Sequence, residues 1–172
     1  MSDSFELTLL QEESSVKENA EKEYRSLLDK GMQLLAMREH SVLELTEKLL
    51  KRSESCDVVY GVIDALVANK LLSDERFTES YVRSRQNKGF GPIKIRHKLR
   101  KKGIKNNMVD DYIKTNSVVW CENAAQQYNK KAGGQPISDY NTWSKYARFL
   151  QNRGFTMGQI HMALPPVSDI DD

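Results

Sequence analysis

The stretch NKGFGPIKIRHKLRKKGIK, residues 87–105, holds eight Lys/Arg and no carboxylate. Side chains of one sign at that density do one kind of chemistry well: they neutralise an anion, phosphate above all. Lys94, Lys98, Lys101 and Lys105 recur at i, i+4, i+7 and i+11, the spacing of a helical stripe. Arg96 and Arg100 form a second stripe beside it, Lys102 follows, and Arg83, Arg85 and Lys88 come from the segment just upstream. A solvated helix face normally mixes signs, because like charges at i, i+4 cost roughly 0.2–0.5 kcal/mol per pair. A run without one Glu therefore points to an anionic partner that offsets the repulsion. Nucleic acid is one such partner; an acidic protein surface, or a filament presenting both, is another.

No other residues assemble a chemical site. GFGP at 89–92 resembles a phosphate-cradling glycine loop only superficially, since no strand precedes it and neither phosphate-loop pattern is present. It reads better as a helix start. His40, His97 and His161 stand far apart, near no Cys or acidic partner at ligand spacing, and read as surface or half-buried helix residues. Cys56 and Cys121 make no metal or redox spacing. We expect no catalytic residues, no metal and no cofactor. The acidic N-terminus lacks the basic and apolar regions of a signal peptide, and no apolar run approaches the ~18 residues of a membrane span. A cytoplasmic protein without membrane partners is the expectation.

The elements that must position the basic run are helical throughout. From Tyr24 a helical period brings Leu27, Leu28, Leu34 and Leu35 to one face. Ser41 and Glu44 form a capping box ahead of Val42, Leu45 and Leu49. A third helix after Asp57 turns Val59, Ile63, Leu66 and Val67 inward. The pattern then restarts. Ser73 caps a helix with Asp74 and Glu75 in its first turn and Phe77, Tyr81 and Val82 inside. Gly91-Pro92 opens the basic helix, whose core side is Pro92, Ile95 and Leu99, and Gly103 stops it. A short helix from Asn106 or Asn107 carries Val109, Tyr112 and Ile113. The third round has Cys121, Ala124, Ala125 and Tyr128 on one helix, then Asp139 capping Trp143, Tyr146 and Leu150, then a capping box at Thr156 and Gln159.

Superposition at offsets of 50 and 51 aligns Leu49, Leu99 and Leu150; Leu45, Ile95 and Tyr146; and Val59, Val109 and Ile160. Ile63, Ile113 and Leu164 also align, as do the helix starts Ser41, Gly91 and Thr142. Ser53 stands where the other two rounds have Gly103 and Gly154. The predicted fold is all-α: three tandem three-helix repeats, each too small to hold a core alone, stacked into an elongated array. Its parts are an acidic N-terminal tail at 1–22, mobile or loosely helical, repeats at 23–72, 73–115 and 116–166, and an acidic C-terminal tail at 167–172. Charge sets the middle repeat apart. Ten Lys/Arg and no Asp or Glu lie between Ser80 and Val109, while the rest of the chain has sixteen basic and twenty-four acidic residues.

The run LLSDERFTESYVRSRQNKGFGPIKIRHKLRKKGI resembles the central signature of the RecX family, bacterial regulators of the RecA recombinase. LLAMREHSVLELTEKLLKR is similar to the family's first repeat and ARFLQNRGFTMGQI to its last, so the resemblance covers roughly residues 23–164. It implies a curved array of three-helix repeats and a non-enzymatic, mainly inhibitory role, binding RecA and the RecA–DNA filament as a monomer, with single- and double-stranded DNA as further partners. The motif positions are Asp74, Phe77, Tyr81, Gly89, Gly91, Pro92, Ile95, Leu99 and Gly103, most of which read as structural. The expected contact residues are Arg83, Arg85, Lys88, Lys94, Arg96, Lys98, Arg100, Lys101 and Lys102. An autonomous nucleic-acid-binding module acting without RecA is the alternative. The basic helix speaks mildly against it, offering Lys and Arg for phosphates but few Asn or Gln for base edges.

Overall fold

Helix propensity and amphipathic period agree along the chain, and the computed structural model is helical wherever it has regular structure. It describes residues 2–115 and 117–166, with the side chains of the first helix described from residue 15 on. The acidic segment at 167–172 lies outside the described residues. Among the described residues the elements are α1 (Ser2–Met37), α2 (Val42–Leu50), α3 (Cys56–Ala68), α4 (Asp74–Asn87), α5 (Pro92–Lys101), α6 (Asn106–Tyr112), α7 (Val118–Ala132), α8 (Tyr140–Arg153) and α9 (Met157–Ala163), with no strand. The chain divides into two compact units, one ending at Phe77 and the other starting at Thr78, so the division falls within α4.

In the first unit α1 is longer than the periodicity of its apolar residues requires. The segment expected as a tail or loose helix continues the same helix back to Ser2. Ion pairs one turn apart, Lys22 with Glu18 at 2.7 Å and Arg25 with Glu21 at 3.0 Å, support the stretch before Leu27 reaches the core. That core is Leu27, Leu45, Leu49, Val59, Val62, Ile63, Leu66 and Leu72. Val62 takes the inward place expected for Val67, which is 44% exposed, because the buried face of α3 is centred on Val59, Val62, Ile63 and Leu66. Ser41 caps α2 by accepting the Glu44 N–H, while the Glu44 carboxylate pairs with Arg38 at 2.6 Å. Asp74 also serves α2, accepting the Val42 N–H at 2.8 Å. Ser53, in place of glycine, closes this helix end differently: its hydroxyl donates to Glu23 at 2.6 Å and accepts the Ser55 N–H.

His40 corrects an expectation. It is 1% exposed and lies at the turn between α1 and α2, rather than at the surface or half-buried in a helix. Its Nδ1 lies 3.0 Å from the Arg38 carbonyl and its Nε2 2.9 Å from the Lys48 ammonium. An ammonium can only donate and a carbonyl only accept, so the ring is neutral with its proton on Nδ1. Burial is the main cause that lowers its pKa, and the charges of Arg38 and Lys48 lower it further, against the opposing bond to the Arg38 carbonyl.

The second unit repeats the same inward positions. Leu99 and Leu150 are fully buried like Leu49, Val109 and Ile160 like Val59, and Ile95 and Tyr146 sit inside as Leu45 does. Gly103 and Gly154 end α5 and α8 with φ of 82° and 93°, the left-handed region that favours glycine. Three expectations shift. Tyr112 is 39% exposed while its neighbours Val109 and Ile113 are buried. The inner face of α7 is Trp120, Ala124 and Gln127, turned from the expected Cys121, Ala125 and Tyr128, because a buried Gln is invisible to an apolar pattern. And α8 starts at its cap Asp139, before the aligned Thr142, whose N–H and hydroxyl bind the Asp139 carboxylate and hold it below its ordinary pKa. The box at Thr156 and Gln159 forms with both reciprocal bonds.

The start of α5 meets the end of α8 backbone to backbone. Gly91 N–H donates to the Arg153 carbonyl at 2.8 Å and Ile93 N–H to the Gly154 carbonyl at 3.0 Å. A Cβ on Gly91 would fall 2.4 Å from Gly154 backbone atoms, and one on Gly154 would fall 2.4 Å from Lys94 Cβ.

Gly154→Ala combines overpacking, about 1–3 kcal/mol, with left-handed strain of about 1–2 kcal/mol, and urea unfolding should show the loss. Gly133→Ala, left-handed at φ 59° but with open space around it, should show the strain alone. For His40, the unfolded chain takes up a proton below about pH 6.5 while the native ring resists it. Stability is then full above that pH and falls as the pH drops through it. His40→Gln should flatten the decline in unfolding midpoint between about pH 7.5 and about pH 5.5; an unchanged decline would assign it to other groups.

Candidate nucleic-acid interface

The basic run lies on α4, α5 and the turn joining them, and the structure sorts its cations by what they touch. Pro92 at the first position of α5, together with Ile95 and Leu99, faces the core, so the remaining positions face outward or sideways. On one side Tyr81, Arg85, Phe90, Lys94, Ile95, Lys98 and Lys102 line a cleft of about 320 Å³. Lys94, Lys98 and Lys102 recur every four residues there, so Lys102 joins the lysine stripe in place of the more distant Lys105, which caps α6.

Aromatic rings hold the cations of this cleft. The Arg85 guanidinium lies 4.8 Å from the Tyr81 ring centre, and the Lys94 ammonium 5.1 Å from that of Phe90. Lys94 also donates to the Asn152 carbonyl at 3.0 Å. Arg153 stacks over Phe149 at 4.9 Å and donates to the Lys88 and Gly89 carbonyls at the end of α4. Among the described residues no carboxylate pairs with Arg85, Lys88, Lys94, Lys98, Arg100 or Lys101.

Two expected contact residues are differently placed. Arg96 turns away from the cleft and ties α5 to the end of α6. It pairs with Asp110, donates to the Ile113 carbonyl at 2.8 Å and reaches the Thr115 hydroxyl at 3.1 Å. Burial, with Arg100 nearby, lowers its pKa, but a guanidinium stays charged. Arg83 is exposed, 3.8 Å from Glu79 one turn earlier. Arg100, Lys101 and Lys88 are exposed on the surface.

GFGP is not a phosphate cradle. The Gly91 and Ile93 amides that would bind an anion already donate to α8 carbonyls, and Pro92 has none. Sequence reasoning missed Phe90 as a cation platform four residues from Lys94, and it missed the parts that come from afar, Asn152 and Arg153. No local signal reveals a bond between positions 65 apart such as Arg153 and Lys88.

The fold and this face define a class: an all-helical protein of repeated three-helix units whose middle triplet presents an aromatic-braced cationic cleft. Comparison with known proteins agrees. Residues 73–113 match the model of the second three-helix domain of RecX, and residues 121–164 that of the third. The chain is 37% identical over 142 residues to the regulatory protein RecX of Pseudomonas putida strain W619, covering 83% of this chain and 90% of that protein. It is 34% identical over 144 residues to the regulatory protein RecX of Halorhodospira halophila, covering 84% and 89%. The crystal structure of RecX from Lactobacillus salivarius superposes with a TM-score of 0.72 at 24% identity, covering 87% of this chain and 97% of that one. The chain belongs to the RecX family.

The sorting of Arg96 from Lys98 is measurable. Removing Arg96 as Arg96→Met breaks charge-assisted bonds worth about 1.5–3 kcal/mol and should lower the unfolding midpoint. Lys98→Ala should change stability by no more than about 0.5 kcal/mol. Denaturant unfolding of the two variants reads both; equal losses would place Lys98 in the scaffold too.

Proposed function

We propose that this protein is a non-enzymatic modulator, mainly negative, of the RecA recombinase and its coprotease activity, acting by binding the RecA–DNA filament in the cytoplasm as a monomer. Membership of the RecX family supports the regulatory role. The observation that carries the contact surface is the run of one-sign charge from the end of α4 through α5, most of it without a carboxylate partner among the described residues. Its cations repel one another at helical spacing, and Lys94, Lys98, Arg100 and Lys101 pair with no carboxylate among the described residues. A filament offers both phosphates and acidic protein surface to such a face. The contact residues are Arg85, Lys94, Lys98, Arg100, Lys101 and Lys102, with Arg83 and Lys88 at the edge and Arg96 supporting α5 from behind.

Among the described residues no helix is long and apolar enough to cross a membrane, and no group of three or more His, Cys, Asp or Glu side chains could hold a metal ion. Binding needs neither. The cationic cleft also favours some direct affinity for bare DNA, which an autonomous module would show in full without RecA.

Titration against RecA on single-stranded DNA separates the two. A filament modulator suppresses ATP hydrolysis and strand exchange at substoichiometric amounts; an autonomous binder does so only when it saturates the DNA. The variant carrying Lys98→Glu, Arg100→Glu and Lys101→Glu should lose at least about tenfold in DNA affinity, with a salt dependence shallower by roughly 0.7–0.9 for each phosphate no longer neutralised. Its helical content should stay native. Full inhibition by this variant would move the binding surface away from α5.

A further inference from the structure

We infer that the cleft between α4 and α5 is a discrete oxyanion pocket that takes one backbone phosphate of a nucleic-acid strand, with Arg85 as its orienting donor. This rests on the reading of the basic face as the contact surface and narrows it from a charged area to a shaped site.

Three observations converge on it. First, Arg85 Nε is, among the described residues, the one buried side-chain nitrogen or oxygen without a hydrogen-bond partner. A buried donor left unmade is costly, most of all on a charged group, and native proteins keep few of them. An oxyanion drawn into the cleft supplies the missing acceptor. Second, the guanidinium carbon lies over the Tyr81 ring, 4.8 Å from its centre, a cation–π contact that limits its movement. A guanidinium presents its N–H groups as a planar fork matched to two oxygens of one phosphate, which a lysine cannot imitate. Third, Lys94, Lys98 and Lys102 line the same cleft, giving four cations around one space with no Asp or Glu among the described residues that line it.

The dimensions favour phosphate over a protein carboxylate. A volume of about 320 Å³ lies at the lower end of the range that takes small-molecule ligands, roughly 300–1,000 Å³. It holds a phosphate with part of its nucleoside. The apolar walls, Phe90 and Ile95, suit sugar and base carbons and offer nothing to an Asp or Glu side chain.

The wild-type protein gives the first test, with inorganic phosphate as the probe and the Arg85 Nε–H resonance as the readout. Phosphate should shift that resonance saturably and leave that of Arg25, on α1, in place. Acetate at matched ionic strength, with less charge and fewer oxygens, should shift the Arg85 resonance clearly less and leave that of Arg25 in place. An equal response to acetate, or none to phosphate, overturns the pocket. The second test is Arg85→Lys, which keeps the charge but loses the fork. Its affinity for an oligothymidine strand should fall about tenfold at fixed salt with an unchanged salt slope, while Arg25→Lys binds as wild type. Wild-type affinity in Arg85→Lys overturns the pocket even where reversal of Lys98, Arg100 and Lys101 still weakens binding. A phosphate shift at Arg85 in a protein without effect on RecA would overturn the filament reading and keep the pocket.

Discussion

The backbone contact between Gly91 and Gly154 fixes where the basic helix starts and what braces it. The first amides of α5 donate to the last carbonyls of α8, so two sets of groups that helices leave unpaired satisfy each other. The positive end of one helix dipole meets the negative end of another, a favourable approach that neither helix could make with a side chain between them. Both positions must be glycine for a steric reason, since a Cβ on either would come within 2.4 Å of the opposite segment. From this contact follow the bond of Lys94 to the Asn152 carbonyl and the bonds of Arg153 to the carbonyls ending α4. The cleft thus has walls because α8 braces α5 and the turn before it.

The scaffold and the charge answer to different constraints. Leu49, Leu99 and Leu150 hold equivalent buried places, and the caps of α2 and α9 use a hydroxyl as α8 uses a carboxylate. Those are requirements of any three-helix unit. Apart from Arg96 and the Lys94 bond to Asn152, the cations of α5 serve no such requirement, and those on the cleft side stand every four residues, where like charges weaken a helix. Stability for that helix comes from Ile95, Leu99 and the Arg96 bonds to α6, which leaves the other face free to carry a charge the fold itself does not need.

Residue order alone reveals whatever depends on near neighbours. Helix caps at Ser41, Asp139 and Thr156, the Gly91-Pro92 start and the shared glycine stops are local chemistry, and the fold class follows from them with the apolar period. Polar burial is not legible in that way. Gln127 and His40 are inside because partners far along the chain or around a turn satisfy or enclose them, and composition ranks both as surface residues. The candidate site is half legible: the density of charge marks α5, and the aromatic supports Tyr81 and Phe90 stand four residues from Arg85 and Lys94, but the Asn152 and Arg153 braces depend on packing that brings α8 to α5.

Charge counting shows why that packing matters to function. The sequence leads one to expect nine cations on one face, and as isolated charges each would release counterions from a phosphate. Arg96 spends its donors on Asp110 and the end of α6, and Arg83 lies beside Glu79. Lys94 already gives one proton to a carbonyl, though an ammonium keeps two more. Arg85 is the reverse case, a guanidinium with a buried donor still unmatched. Arg96 and Arg85 are the same residue type in one basic run, yet the fold has consumed one and held the other in reserve. The electrostatic footprint of this face is therefore smaller than its sequence charge and more directional.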